Sequence, residues 1–143
     1  MKKNLAQIIN VYGVFATLTT KHFNNFSVSY KIAKAAKELE SHRDFYMAEE
    51  KKLVEAHAVK EKDGRIKIID GNRIEFKTQE DGIKFNEEVM KLQKTEVDVF
   101  EPFEIRVSDF KEGEMNITPR EIIALEDFVI FKDEDPVPAK TEA

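Results

Sequence analysis

The chain is predicted to fold as one α+β domain: a long-helix antiparallel helical core of three to four helices, with a small β-hairpin or antiparallel sheet on one side. Three observations point there. Apolar residues recur at helical spacing for about thirty residues after position 27. Two short alternating segments flank Asp70-Gly71-Asn72. And 143 residues, 41% hydrophobic and 36% charged, suffice for one modest core while putting heavy charge on exposed faces. The domain is expected over residues 1–132, with 133–143 a flexible, acidic, proline-containing tail.

In the first element, Leu5, Ile8, Ile9, Tyr12, Phe15 and Ala16 line one face of a helix over residues 4–20. Gly13 and the β-branched Val14, Thr17 and Thr19 weaken it, and a strand over 11–19 is the alternative. Residues 22–26 read as a connector that sends Phe23 and Phe26 into the core. Ser27 is placed to N-cap a second helix. Its inner stripe is Val28, Ile32, Ala35, Ala36, Leu39, Tyr46, Leu53 and Val54, and Asp63-Gly64 ends it. Thirty residues of helix measure about 45 Å, whereas a compact sphere of this chain length is about 37 Å across. The helix must therefore protrude, break or lie along a partner, and the polar Ser41-His42-Arg43-Asp44 stretch is the best place for a break.

Residues 65–69 and 73–77 alternate about a Gly-containing turn and predict a hairpin, with Ile66, Ile68, Ile74 and Phe76 sharing its buried face. Thr78, with Asp81 three residues on, opens a third helix whose inner stripe is Phe85, Val89 and Leu92. Residues 96–107 read as extended, split at Pro102 into edge or bent strands. Thr118-Pro119-Arg120-Glu121 combines an N-cap, a proline at the first helical position and a returning Glu, so a short helix follows through Asp127 with Ile122 and Leu125 inward. Residues 128–131 are an apolar run of either type.

No residue pattern points to catalysis, a cofactor or a metal. The chain has no Cys, which removes disulfides, thiolate metal sites and a Cys nucleophile. His22, His42 and His57 fit no His-x-His or HExxH spacing, and His57 reads as a part-buried histidine of the long helix. Ser41, His42 and Asp44 hold the letters of a triad, but consecutive helical residues point about 100° apart and cannot relay a proton. The five glycines are scattered, with no phosphate-binding loop. The longest apolar run near the start, 11–16, is too short for a signal peptide, and no stretch approaches a membrane span.

Charge is the feature that bears on function. The first acidic residue is Glu38, so residues 1–37 carry a formal +6 from Lys2, Lys3, Lys21, Lys31, Lys34 and Lys37. The remainder has 17 Lys+Arg against 28 Asp+Glu, and the whole chain stands at −5. Such polarity suits electrostatic binding or self-assembly into a homo-oligomer. Lys31, Lys34 and Lys37 share one helix face and, with Glu49, Glu50 and Glu55 further along, are the candidate partner-binding residues. Ordinary solubility accounts for the same charges equally well. Nucleic acid is disfavoured, because arginines are few and the acidic remainder repels phosphate.

The order of motifs adds a setting. Ser29-Tyr30-Lys31-Ile32-Ala33-Lys34 is followed by Lys37-Glu38-Leu39-Glu40, Ala48-Glu49-Glu50 and Glu61-Lys62-Asp63-Gly64. Then come Phe85-Asn86-Glu87-Glu88, Leu92 with Thr95-Glu96-Val97, and Ile117-Thr118-Pro119 before Ala124-Leu125-Glu126. Over roughly residues 5–131 this resembles a family of small uncharacterised proteins encoded by tailed bacteriophages and prophages. Each motif is generic; their order and spacing carry the resemblance. The Asp70-Gly71 hairpin is more developed here than in the family, and the tail is extra. The family has no assigned catalytic residues or established activity. The resemblance implies a phage origin, synthesis in the host cytoplasm and a protein partner, either a phage structural protein or a host enzyme. The leading expectation is thus a non-catalytic protein–protein interaction protein, a virion accessory or assembly component. The alternatives are an inhibitor of a host defence or replication enzyme, and a nucleic-acid or nucleotide-binding module.

Overall fold

A computed structural model describes residues 1–132, so the tail expected at 133–143 lies outside the described residues. The fold is α+β, as the sequence predicts. Strand β1 (Lys2–Asn4) leads directly into α1 (Leu5–Leu18). The Asn4 side chain accepts from the Gln7 amide at 2.8 Å, and the Gln7 side chain accepts from the Asn4 amide at 2.9 Å. Burial outweighs the poor propensity of Gly13 and Thr17: Leu5, Ile8, Val11, Phe15 and Leu18 are all fully buried. Each such side chain contributes about 1.5–3 kcal/mol, whereas an unfavourable helical residue costs at most about 1 kcal/mol.

Helix α2 spans Phe26–His57, 32 residues and about 48 Å, without a break. Of the alternatives left open, the helix does not break at Ser41–Asp44: Arg43 lies over the Tyr12 ring of α1, 4.4 Å from its centroid, and pairs with Asp44 at 3.0 Å. Two features of its start differ from expectation. Asn25, not Ser27, is the N-cap, accepting from the amides of Ser27 and Val28 at 3.0 and 3.3 Å. The helix therefore begins at Phe26, about 160° round from Val28, and Phe26 is 83% exposed instead of plugging the core. Phe23 does fill the core, 4.7 Å from Phe110. The helix also ends six residues before Asp63, because the chain turns extended at Ala58 to bridge Phe76, and Lys60 bridges Ile66.

The long helix protrudes from the main core, which reaches along it only to Tyr46. Its first half packs on α1 and its second on α3 (Gln79–Lys94). Strands β2 (Ile68–Ile69) and β3 (Arg73–Ile74) form the expected hairpin, reversed through Asp70 and Gly71 at φ of 52° and 84°. Ile68 does not join the buried face. It is half exposed, since the tip of a two-stranded hairpin lacks a second layer. At the base, the Phe76 ring stacks at 5.2 Å on Phe85 and packs over Gly82.

Strand β4 (Glu96–Asp98) pairs antiparallel with β1. Pro102 separates it from β5 (Phe103–Arg106), which pairs with β6 (Val129–Lys132) in parallel, unlike the antiparallel pairing expected. The intervening 22 residues contain a 3-10 turn (Val107–Asp109) and α4 (Pro119–Glu126), enough chain for the crossover that parallel strands require. Phe15 sits at the centre, edge-on to Phe100 and Phe128 at 5.8 and 6.3 Å.

Candidate interaction surface

The N-terminal half of α2 buries one face and leaves the other to solvent. At 100° per residue, Lys31, Lys34 and Lys37 fall 60° apart on the outer side, opposite Ile32 and Leu39. All three are exposed, and none makes a hydrogen bond or ion pair among the described residues. The helical neighbours able to pair with them are Glu38, four residues after Lys34, and Glu40, three after Lys37; Glu40 lies 3.8 Å from Arg43, and neither pairs with a lysine among the described residues. They are mutually repulsive cations held in place by the helix.

Aromatic surface flanks them on both sides. On one side, Lys31, Lys34, Ala35 and Glu38 face Phe100, Glu101 and Phe103 across a cavity of about 370 Å³. The Phe100 and Phe103 rings lie 5.8 Å apart, and Ala35 is almost completely buried, so the cavity has apolar walls and a charged rim. Phe100 lies in the 99–102 segment between β4 and β5, and Phe103 opens β5, which packs beside α2. Glu101 accepts from the Met1 amino group at 2.6 Å, which engages one of the two rim carboxylates. On the other side, Tyr30, Ala33, Lys34 and Lys37 line a shallower hollow of about 420 Å³. Tyr30 is 66% exposed and stands one turn from Phe26. Lys34 borders both hollows, which makes them one continuous basic and aromatic surface.

The acidic candidates are arranged differently. Glu49 and Glu50 are half-buried; Glu49 pairs with Lys52 at 2.7 Å, and Glu50 accepts from the Tyr46 hydroxyl at 3.4 Å. Glu55 is exposed and without a partner among the described residues. The three point in different directions round the helix, some 100–140° apart. The structure thus brings the lysines together and leaves the glutamates dispersed, about 27 Å further along α2.

A second polar cluster joins the end of α2 to α3. His57, 12% exposed, places Nδ1 2.8 Å from Asp81 and Nε2 3.5 Å from Glu88. The Thr78 hydroxyl donates to the other Asp81 oxygen at 3.0 Å. The hydrogen bond from His57, then that from Thr78, holds the Asp81 carboxyl below the usual carboxylate range. Asp81 and Glu88 approach opposite nitrogens of the ring, so the three groups clamp two helices and do not converge on a common point. Among the described residues no group of three His, Cys, Asp or Glu is disposed to hold a metal ion, and no helix is long and apolar enough to cross a membrane.

Sequence reasoning put the three lysines on one helix face with Tyr30 beside them, sent Phe26 into the core, and did not bring Phe100 and Phe103 to this face. Phe26 and Tyr30 carried a usable signal, since both fall off the Val28–Ile32–Leu39 stripe once the helix is phased. Phe100 and Phe103 carried none, because their approach to α2 depends on tertiary structure. No family model, curated protein or solved structure matches this chain.

Proposed function

We propose that this is a non-catalytic protein–protein interaction protein, of the phage accessory or assembly type, that docks its partner on the outer face of the first half of α2. The observation that carries the reading is the juxtaposition of three unpaired lysines with exposed aromatic surface. Phe26 and Tyr30 are exposed and contribute little to the core; exposed aromatics are enriched at contact surfaces, and the unpaired lysines beside them would steer a partner of opposite charge. The resemblance to tailed-phage proteins supplies the setting, with a phage structural protein as the partner.

The test is a tagged pull-down from phage-producing cells, comparing the native chain with a Lys31→Glu/Lys34→Glu/Lys37→Glu variant by mass spectrometry. The expected result is recovery of head, connector or tail proteins in fixed stoichiometry with the native chain and their loss with the variant. A single host enzyme recovered without virion proteins would replace this reading with that of a host-directed inhibitor.

A further inference from the structure

Resting on that reading of the site, we infer that the partner presents an acidic segment carrying a large apolar anchor, which enters the hollow between α2 and the touching Phe100 and Phe103 rings while its carboxylates meet Lys31 and Lys34. The cavity has a size and lining suited to a buried side chain: about 370 Å³, with two aromatic rings and the Ala35 methyl as its apolar surface. Its rim carries Lys31 and Lys34, neither in an ion pair among the described residues, together with Glu38 and with Glu101, which the Met1 amino group already engages. An apolar side chain alone would fill the cavity and leave those cations beside a desolvated interface. An acidic chain alone would neutralise the lysines and leave the aromatic surface in water. Only a segment with both properties matches the whole site, and the continuation past Lys34 to Tyr30 and Lys37 gives it a track along the helix.

Two other occupants fit less well. A nucleic-acid strand would find rings and lysines, but it is a long polyanion that would run beyond the hollow over a chain with a formal net charge of −5, which a short acidic segment need not do. A second copy of the chain using its own α2 would have to supply Glu49 and Glu50, which are already engaged by Lys52 and Tyr46, and Glu55, which points elsewhere.

The test is a selection of random twelve-residue peptides against the immobilised full chain, followed by fluorescence anisotropy of the enriched peptides. The expected outcome is enrichment of sequences with two or more Asp or Glu beside a Phe, Leu, Ile or Met. Their affinity should fall at least about tenfold in the Lys31→Glu/Lys34→Glu variant. All the altered residues are exposed, and an unchanged thermal transition establishes that the variant folds. Replacing the anchor in an enriched peptide by Ser should weaken binding by a similar factor. Enrichment of basic or uncharged peptides, no enrichment at all, or indifference to the anchor would overturn the inference. So would binding of a twenty-residue oligothymidylate, or concentration-dependent dimerisation, that is lost in the same variant. If the pull-down still recovers a lysine-dependent protein partner while the peptides fail, the partner class is wrong and the docking face stands.

Discussion

Phe23 and Phe26 lie three residues apart and have opposite roles. Phe23 is 5% exposed against Phe110, and Phe26 is 83% exposed at the first turn of α2. Phe23→Ala is therefore expected to cost about 3–5 kcal/mol, and Phe26→Ser to change stability by less than about 0.5 kcal/mol; chemical denaturation of the two variants checks the contrast. Composition could not separate them, because both are bulky and apolar. What separates them is the Asn25 cap, which sets the phase of the helix. Asp81 gives a pH prediction. Its carboxyl is held below the ordinary range by His57 and Thr78, so it contributes stability that is present above the unfolded value of about 3.9 and is lost as pH falls through the lower folded value. The gap in Tm between the native chain and Asp81→Asn should accordingly be widest near neutrality and close as the pH falls below about 4.

The long helix α2 packs on α1, α3 and β5. Its inner stripe to Tyr46, the capped starts at Thr78 and Thr118, and the hairpin about Asp70-Gly71 were all legible, because each is a local pattern of period or cap. The sheets were less so. Strand β1 is three residues long and runs into a helix, and the β5–β6 pairing joins segments some 25 residues apart, a relation that no local pattern encodes. The missing break in α2 has the same origin: Ser41–Asp44 is polar in sequence, yet Tyr12 of another helix holds Arg43. Continuity can be checked with Ser41→Pro, which should cost about 3 kcal/mol or more in an uninterrupted helix and little at a hinge. In α1, an added Cβ at Gly13 meets nothing within 4 Å, so Gly13→Ala should stabilise by about 0.5–1 kcal/mol in a thermal melt.

At the scale of the whole molecule, the sequence polarity becomes a spatial one. The basic first 37 residues contribute α1, buried in the core, and the outer face of α2, where three lysines remain unneutralised beside aromatic hollows. The acids of the remainder are spread over several elements, and many are already matched by Lys or Arg neighbours. A partner drawn by the lysines should bind more weakly as ionic strength rises past the point where the Debye length falls below about 10 Å, roughly 0.1 M. The most direct test of the docking face is site-specific photo-crosslinking in phage-producing cells, with a benzophenone side chain at Tyr30 and, as the comparison, at Asp70 on the hairpin tip. A single crosslinked protein from position 30 and none from position 70 is the expected result. No adduct at position 30, or the same adducts from both positions, would contradict a partner seated on the first half of α2.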